Sequence, residues 1–186
     1  MYAKTKNKSA NKIALFGSVK ILVACAMFIA FSIVFGKFLA INIGDNIRLS
    51  LENLSLILAG ILFGPKIGLF TAIAADIVGC IVRGYEINPI ITLGAACIGF
   101  FSGFMYLYVF KNHLVPRVAL SVFTAHIIGS MIVKSIGLYI YFPPQRVTLI
   151  WRIPSYLIIG TIETIIICAL LKNKVFSSQF ERLKNK

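Results

Sequence analysis

The sequence predicts an all-α integral membrane protein, a single bundle of six transmembrane helices. Three observations predict it. The 186 residues are 59% hydrophobic with a mean hydropathy of +0.90, whereas soluble domains run nearer ~45–50% apolar. The apolar residues gather into runs of about 17–25, the length that crosses a hydrocarbon core about 30 Å thick. The basic residues gather between those runs and in the two tails, where the positive-inside rule places them.

A Lys-rich polar tail covers residues 1–17, and the first span follows over 18–38. The second runs over 47–64 and stops at Gly64-Pro65, since Pro disfavours helical backbone in the residue before it. The third, 66–83, ends in the polar loop Arg83 to Pro89. The fourth covers 90–110 and leads into the basic loop Lys111 to Arg117. The fifth, 117–142, is closed by Pro143-Pro144. The sixth occupies 153–171, so the transmembrane domain is 18–171 and a second basic tail is 172–186.

An even number of spans puts both tails and the loops at Lys66 and 111–117 on one side. That side carries thirteen Lys and Arg residues. The other carries five: Lys37, Arg48, Arg83, Arg146 and Arg152. Both termini are therefore expected in the cytoplasm. The net charge of +13 is a topology signal under this reading, and nucleic-acid binding is not expected, because no basic face forms apart from the loops and tails. Cys25, Cys80, Cys97 and Cys168 lie in apolar runs with no C-x-x-C spacing and read as small buried residues. The first apolar run is too long for a cleavable signal peptide, and no small-residue cleavage site follows it.

Small residues recur four apart: Ala26 and Ala30, Gly60 and Gly64, Ala75 and Gly79, then Ala95, Gly99 and Gly103. This spacing lets helix backbones approach closely in lipid. Internal packing and docking of a partner are both consistent with it.

Ionisable groups inside spans are costly and mark function by default. Asp76, Lys134 and Glu163 lie about 10, 12 and 15 Å below the outer ends of their helices at 1.5 Å per residue. They either form a ligand site, or Lys134 and Glu163 pair to fix helix register. Arg83, seven residues after Asp76 on one face, can lean back toward it. His126 reads as a core histidine in the inner half. Outer segments supply Arg48, Glu52, Asn53, Tyr85, Glu86 and Asn88, then Tyr139, Tyr141, Phe142, Arg146, Trp151 and Arg152. Aromatics with arginines suit a lid over a flat, charged organic molecule; an interfacial belt with snorkelling arginines is the alternative.

No phosphate-binding G-x-x-x-x-G-K-[ST] loop occurs, so ATP hydrolysis by this chain is not expected. Neither H-E-x-x-H nor G-x-S-x-G is present, no cofactor is implied, and the two halves show no inverted repeat. A binding subunit driven by partners fits these absences. An intramembrane enzyme using Asp76, Lys134 and Glu163, or a scaffold without a ligand, are the rival readings.

Five segments carry a resemblance: Ile47 to Leu54 (IRLSLENL), Gly60 to Gly68 (GILFGPKIG), Ala74 to Cys80 (AADIVGC), Gly84 to Ala96 (GYEINPIITLGAA) and Lys134 to Tyr139 (KSIGLY). Together they resemble the folate-specific substrate-binding (S) component of energy-coupling factor (ECF) transporters. The resemblance implies a vitamin-binding subunit of a bacterial cell membrane, with its pocket toward the outside. It implies as partners a transmembrane coupling subunit and two ATP-hydrolysing subunits, with Ala26 and Ala30 matching the docking motif of the first helix. The sequence departs from the family at Leu51 and Ser55, where Phe and Pro are common, and in the loop Pro143 to Pro154. Ligand chemistry points the same way. A pterin ring offers adjacent N–H donors that a carboxylate of Asp76, Glu52 or Glu163 can accept as a pair. The glutamate tail suits Lys134, Arg146 or Arg152. Riboflavin, thiamine and biotin are the alternative vitamins. The expected ligand-binding set is thus Arg48, Glu52, Asp76, Asn88, Lys134, Tyr139, Arg146, Arg152 and Glu163.

Overall fold

A computed structural model describes residues 19–43, 47–110, 113–142 and 149–184. Among these, helix α1 spans Val19–Lys37, and strands β1 (Ile41–Ile43) and β2 (Ile47–Leu49) follow it. Helices α2 (Glu52–Phe63), α3 (Pro65–Arg83) and α4 (Pro89–Tyr108) come next. Helix α5 is continuous over Leu114–Tyr141, α6 spans Leu149–Lys172, and α7 spans Lys174–Lys184.

Five helices, α1, α3, α4, α5 and α6, are long and apolar enough to cross a membrane. The expected second span is not one of them, so length and composition among the described residues do not confirm the count of six. Its first residues, Ile47–Leu49, pair antiparallel with Ile41–Ile43 in the register Ile41↔Leu49, Asn42↔Arg48 and Ile43↔Ile47. The alternation INI…IRL is the period-two pattern of a strand, and a search for apolar runs overrides it. Helix α2 then has 12 residues, about 18 Å of rise, well short of a bilayer core. Every residue from Asn53 to Phe63 is buried, so α2 is enclosed by protein and need not reach both faces.

Glycine sets how the helices meet. Gly60 of α2, Gly68 of α3 and Gly99 and Gly103 of α4 converge so closely that a Cβ on any of them would strike a neighbouring backbone. Gly64, at φ +92°, makes the reversal into Pro65, and Pro occupies the first turn of α3, where its missing N–H is harmless. Gly84, at φ +70°, ends α3 in the left-handed conformation that only glycine adopts freely. Around these contacts sits an apolar core that includes Leu56, Ile57, Ile98, Val118, Val122 and Ile167.

The α1 surface is different. Leu22, Val23, Met27 and Phe31 are exposed, as are Ala26 and Ala30, and only part of the helix is covered by the bundle. The segment expected to be a tail after the last span forms α7, whose Phe180 ring stacks on Phe28 at 6.1 Å and meets Phe63 at 5.8 Å.

Helix α5 holds a stretch of wider turns. Residues His126–Val133 bond in the i→i+5 pattern of a π-helix, a form that is rare and found mostly as single turns.

Candidate functional site

A cavity of about 620 Å³ opens at the end of the bundle that carries the hairpin. The N-terminal ends of α2, α4 and α6 and the C-terminal ends of α3 and α5 meet there. Its walls include Glu52, Asn53, Asp76, Arg83, Asn88, Lys134, Trp151, Arg152 and Tyr156. Small-molecule pockets usually occupy about 300–1,000 Å³.

Asp76 stands on one wall and accepts a hydrogen bond of 2.7 Å from Thr92 Oγ1. Thr92 also donates to the carbonyl of Asn88 at 3.1 Å, which fixes the hydroxyl between two acceptors. The second oxygen of Asp76 accepts from no side chain among the described residues. Asn88 itself is 8% exposed. Its Oδ1 caps α4 by accepting from the N–H groups of Ile90 (3.0 Å) and Ile91 (3.3 Å). Its first role is therefore to start the helix, and only its NH₂ remains for a ligand.

Arg83 does not lean on Asp76. It forms an ion pair with Glu52 at 2.9 Å, tying α3 to α2, with Gly36 of α1 pressed against both side chains. Glu52 opens α2 and Arg83 closes the next helix, 31 residues later, so the local i, i+7 spacing favoured the wrong partner. Glu52 is thereby neutralised within the wall.

Lys134 and Arg152 supply the free positive charge. Lys134 makes no side-chain hydrogen bond or ion pair among the described residues, and its stem lies over Gly94 of α4. Arg152 donates through Nη2 to the Ser130 carbonyl at 2.8 Å and to the Tyr156 hydroxyl at 3.1 Å. The Nε atoms of Arg83 and Arg152 and Oδ1 of Asn53 are buried in the wall without a partner.

Two expected ligand residues lie elsewhere. Glu163 is fully buried, and its Oε2 is 2.5 Å from His126 Nε2. The supposed Lys134–Glu163 pair is replaced by this one, and the core histidine has a carboxylate partner. Tyr139 is 54% exposed and is not on the cavity wall. Arg146 and the side chain of Arg48 lie outside the described residues. Sequence reasoning missed Thr92, Ser155 and Tyr156. The last stands four residues after Arg152, and that spacing puts both on one helix face.

Comparison with known proteins places this architecture. The family model of the ECF-type riboflavin transporter S component matches residues 16–175. A crystal structure described as FolT bound with folic acid is similar to the chain with a TM-score of 0.67 and 24% identity, covering 84% of this chain and 96% of that one. A structure described as the S component of a bacterial ECF transporter has a TM-score of 0.52 and 20% identity, covering 89% and 96%. The S component for biotin from an ECF-type ABC transporter has a TM-score of 0.58 and 21% identity, covering 94% and 100%. No curated protein sequence matches the chain. At these identities the structures speak for the fold, while the family model covers most of the residues. The chain belongs to the family of ECF transporter S components, membrane-embedded substrate-binding subunits that are not enzymes.

Proposed function

We propose that this S component captures folate, or a closely related pterin, from outside the cell and delivers it inward with an ATP-driven energy-coupling module. The observation that carries the reading is the pairing of opposite chemistries in one cavity: the Asp76–Thr92 unit on one wall, Lys134 and Arg152 on another. A carboxylate with a free oxygen accepts the N–H donors of a pterin edge. Two cations, unneutralised by Glu52 because Arg83 occupies it, accept the carboxylates of the glutamate tail. Trp151, Tyr156 and Phe142 offer apolar faces between them. The unpartnered Arg83, Arg152 and Asn53 atoms favour a ligand rich in polar groups, since a buried donor or acceptor without a partner costs ~1–3 kcal/mol.

Riboflavin is the second reading, favoured by the family model that matches. Its flat ring suits the same aromatic walls, but it lacks carboxylates for Lys134 and Arg152. Titration of the purified protein separates the two, with the single tryptophan, Trp151, as fluorescent reporter. Folate is expected to bind far more tightly than riboflavin, biotin or thiamine. Asp76→Asn and Lys134→Ala should each weaken it by about 1–3 kcal/mol. Tight riboflavin binding with no response to folate would overturn the ligand assignment.

The thirteen-to-five asymmetry of basic residues supports an outward-facing cavity and cytoplasmic termini. Helix α2 returns the chain from the hairpin to the start of α3, so that the passages stay even in number. A cysteine in place of the exposed Glu86 should react with an impermeant thiol reagent on intact cells, and one in place of Lys8 should not. The opposite labelling would reverse the direction of capture. Ala26 and Ala30, exposed on α1, form the shallow face on which the coupling subunit docks.

A further inference from the structure

Behind the cavity wall lies a polar cluster that direct ligand contact does not use. His126, Ser130 and Glu163 are all buried, at 1%, 0% and 0% exposure, and none lines the cavity. His126 opens the π-helical stretch of α5. Such turns are rare, and here four polar contacts and one ring contact surround them. Glu163 Oε2 lies 2.5 Å from His126 Nε2. Ser130 Oγ lies 3.5 Å from His126 Nδ1. The Ser130 carbonyl, midway along the stretch, accepts from Arg152 Nη2 at 2.8 Å and from Ser135 Oγ at 3.3 Å. The Tyr156 ring lies 5.0 Å from the imidazole, and its hydroxyl accepts from Arg152.

These contacts reach the cavity by two routes. One runs through Tyr156 to Arg152, which both line it. The other runs along the backbone. The N–H of Lys134 bonds to the carbonyl of Gly129, five residues earlier, so Lys134 is the first residue after the widened turns. A turn holding one extra residue moves everything after it by about 100° around an α-helix of 3.6 residues per turn. With ordinary α turns over 126–133, Lys134 would face away from its present position over Gly94.

We infer that His126 and Glu163 are a positioning pair. They hold the π-helical stretch in place and, through it and Tyr156, aim Lys134 and Arg152 at the carboxylate-bearing end of the ligand. The inference rests on the folate reading of the cavity. Stability alone is a poor reason for the pair. Glu163 Oε1 has no partner, and apolar residues of similar volume often serve a core as well as a buried ionisable pair does.

Reach and charge separate in two conservative variants. Glu163→Asp keeps the carboxylate but withdraws it by one carbon; Glu163→Gln keeps the length and a hydrogen-bonding group but loses the charge. Purified proteins are titrated through Trp151 fluorescence with folate and with pteroate, which lacks the glutamate tail. Amide hydrogen exchange of residues 126–133 is followed in parallel. Glu163→Asp should weaken folate at least tenfold and pteroate no more than threefold, and should speed exchange in 126–133. Glu163→Gln should stay within threefold of the parent for both ligands, with protection kept. Equal loss of folate and pteroate in Glu163→Asp, or equal behaviour of the two variants, would overturn the positioning role. If the parent protein binds neither ligand, the folate reading fails by itself. Exchange then decides the pair: faster exchange in Glu163→Asp alone supports it, and unchanged protection overturns it.

Discussion

Two ridges of small residues share one sequence spacing and have opposite surroundings. On α4, Gly99 and Gly103 are buried against Gly68 of α3 and Gly60 of α2, and the backbones nearly touch. On α1, Ala26 and Ala30 are exposed, beside Met27 and Phe31, which are exposed as well. A four-residue repeat states only that another backbone can come close. Which backbone it is depends on what surrounds the ridge. The α4 ridge is ringed by helices of its own chain, with α2 enclosed at its centre. The α1 ridge sits on a helix that leaves much of its apolar surface outside the bundle. The first is used up in making the fold; the second is left over after the fold is made.

The difference can be broken from the α4 side with the larger effect. Gly99→Leu places a side chain where the Gly68 carbonyl already stands, and backbone cannot yield as a side chain can. We expect a loss of about 3 kcal/mol or more, the upper range for overpacking. The readout is a fall in melting temperature of the detergent-purified protein together with loss of ligand binding. Melting and affinity unchanged in this variant would mean that the α4 ridge is not a packing surface. From the α1 side the expected effect on the isolated protein is nearly nil. Ala26→Trp with Ala30→Trp should leave folate affinity within about threefold, or ~0.65 kcal/mol. The same double variant should no longer co-purify with the coupling subunit or support ATP-dependent uptake in vesicles. Loss of ligand binding with loss of assembly would place the α1 ridge inside the fold and erase the contrast.

Much of this arrangement is legible in the sequence, because hydropathy and charge act along the chain. All five long helices begin and end within about four residues of the expected limits. The sixth expected span starts at 153, whereas α6 starts at Leu149 and carries Pro154 inside its first turns. The polar residues expected within the spans divide by helix rotation. Asp76 and Lys134 reach the cavity, while Glu163 turns inward to His126. Helical rise gives the depth of each residue, but its direction around the axis depends on an unbroken 3.6-residue repeat. The π-helical stretch of α5 breaks that repeat, and nothing in HIIGSMIV announces it. The Arg83–Glu52 pair was hidden for a related reason, since it joins residues 31 apart on consecutive helices and local spacing favoured Asp76. The hairpin was legible but outvoted: Ile47 and Leu49 are apolar enough to join the second span, and only the alternation of Ile41, Ile43, Ile47 and Leu49 with Asn42 and Arg48 speaks for strands.

Helix α2 has a consequence for how the chain enters the membrane. At 12 residues it is too short to be held across a bilayer by its own partitioning, and an isolated helix of this length is marginal even in water. It gains its place only as the α3 and α4 glycines close around it. Insertion and folding are therefore separate events for this segment. The five long helices can cross the bilayer one by one, but α2 arrives as the descending arm of a helical hairpin ending in Arg83, and it becomes a helix of defined position only on assembly. The site inherits that order, because Glu52 and Asn53 sit on the first turn of α2. Half of one cavity wall comes into being last.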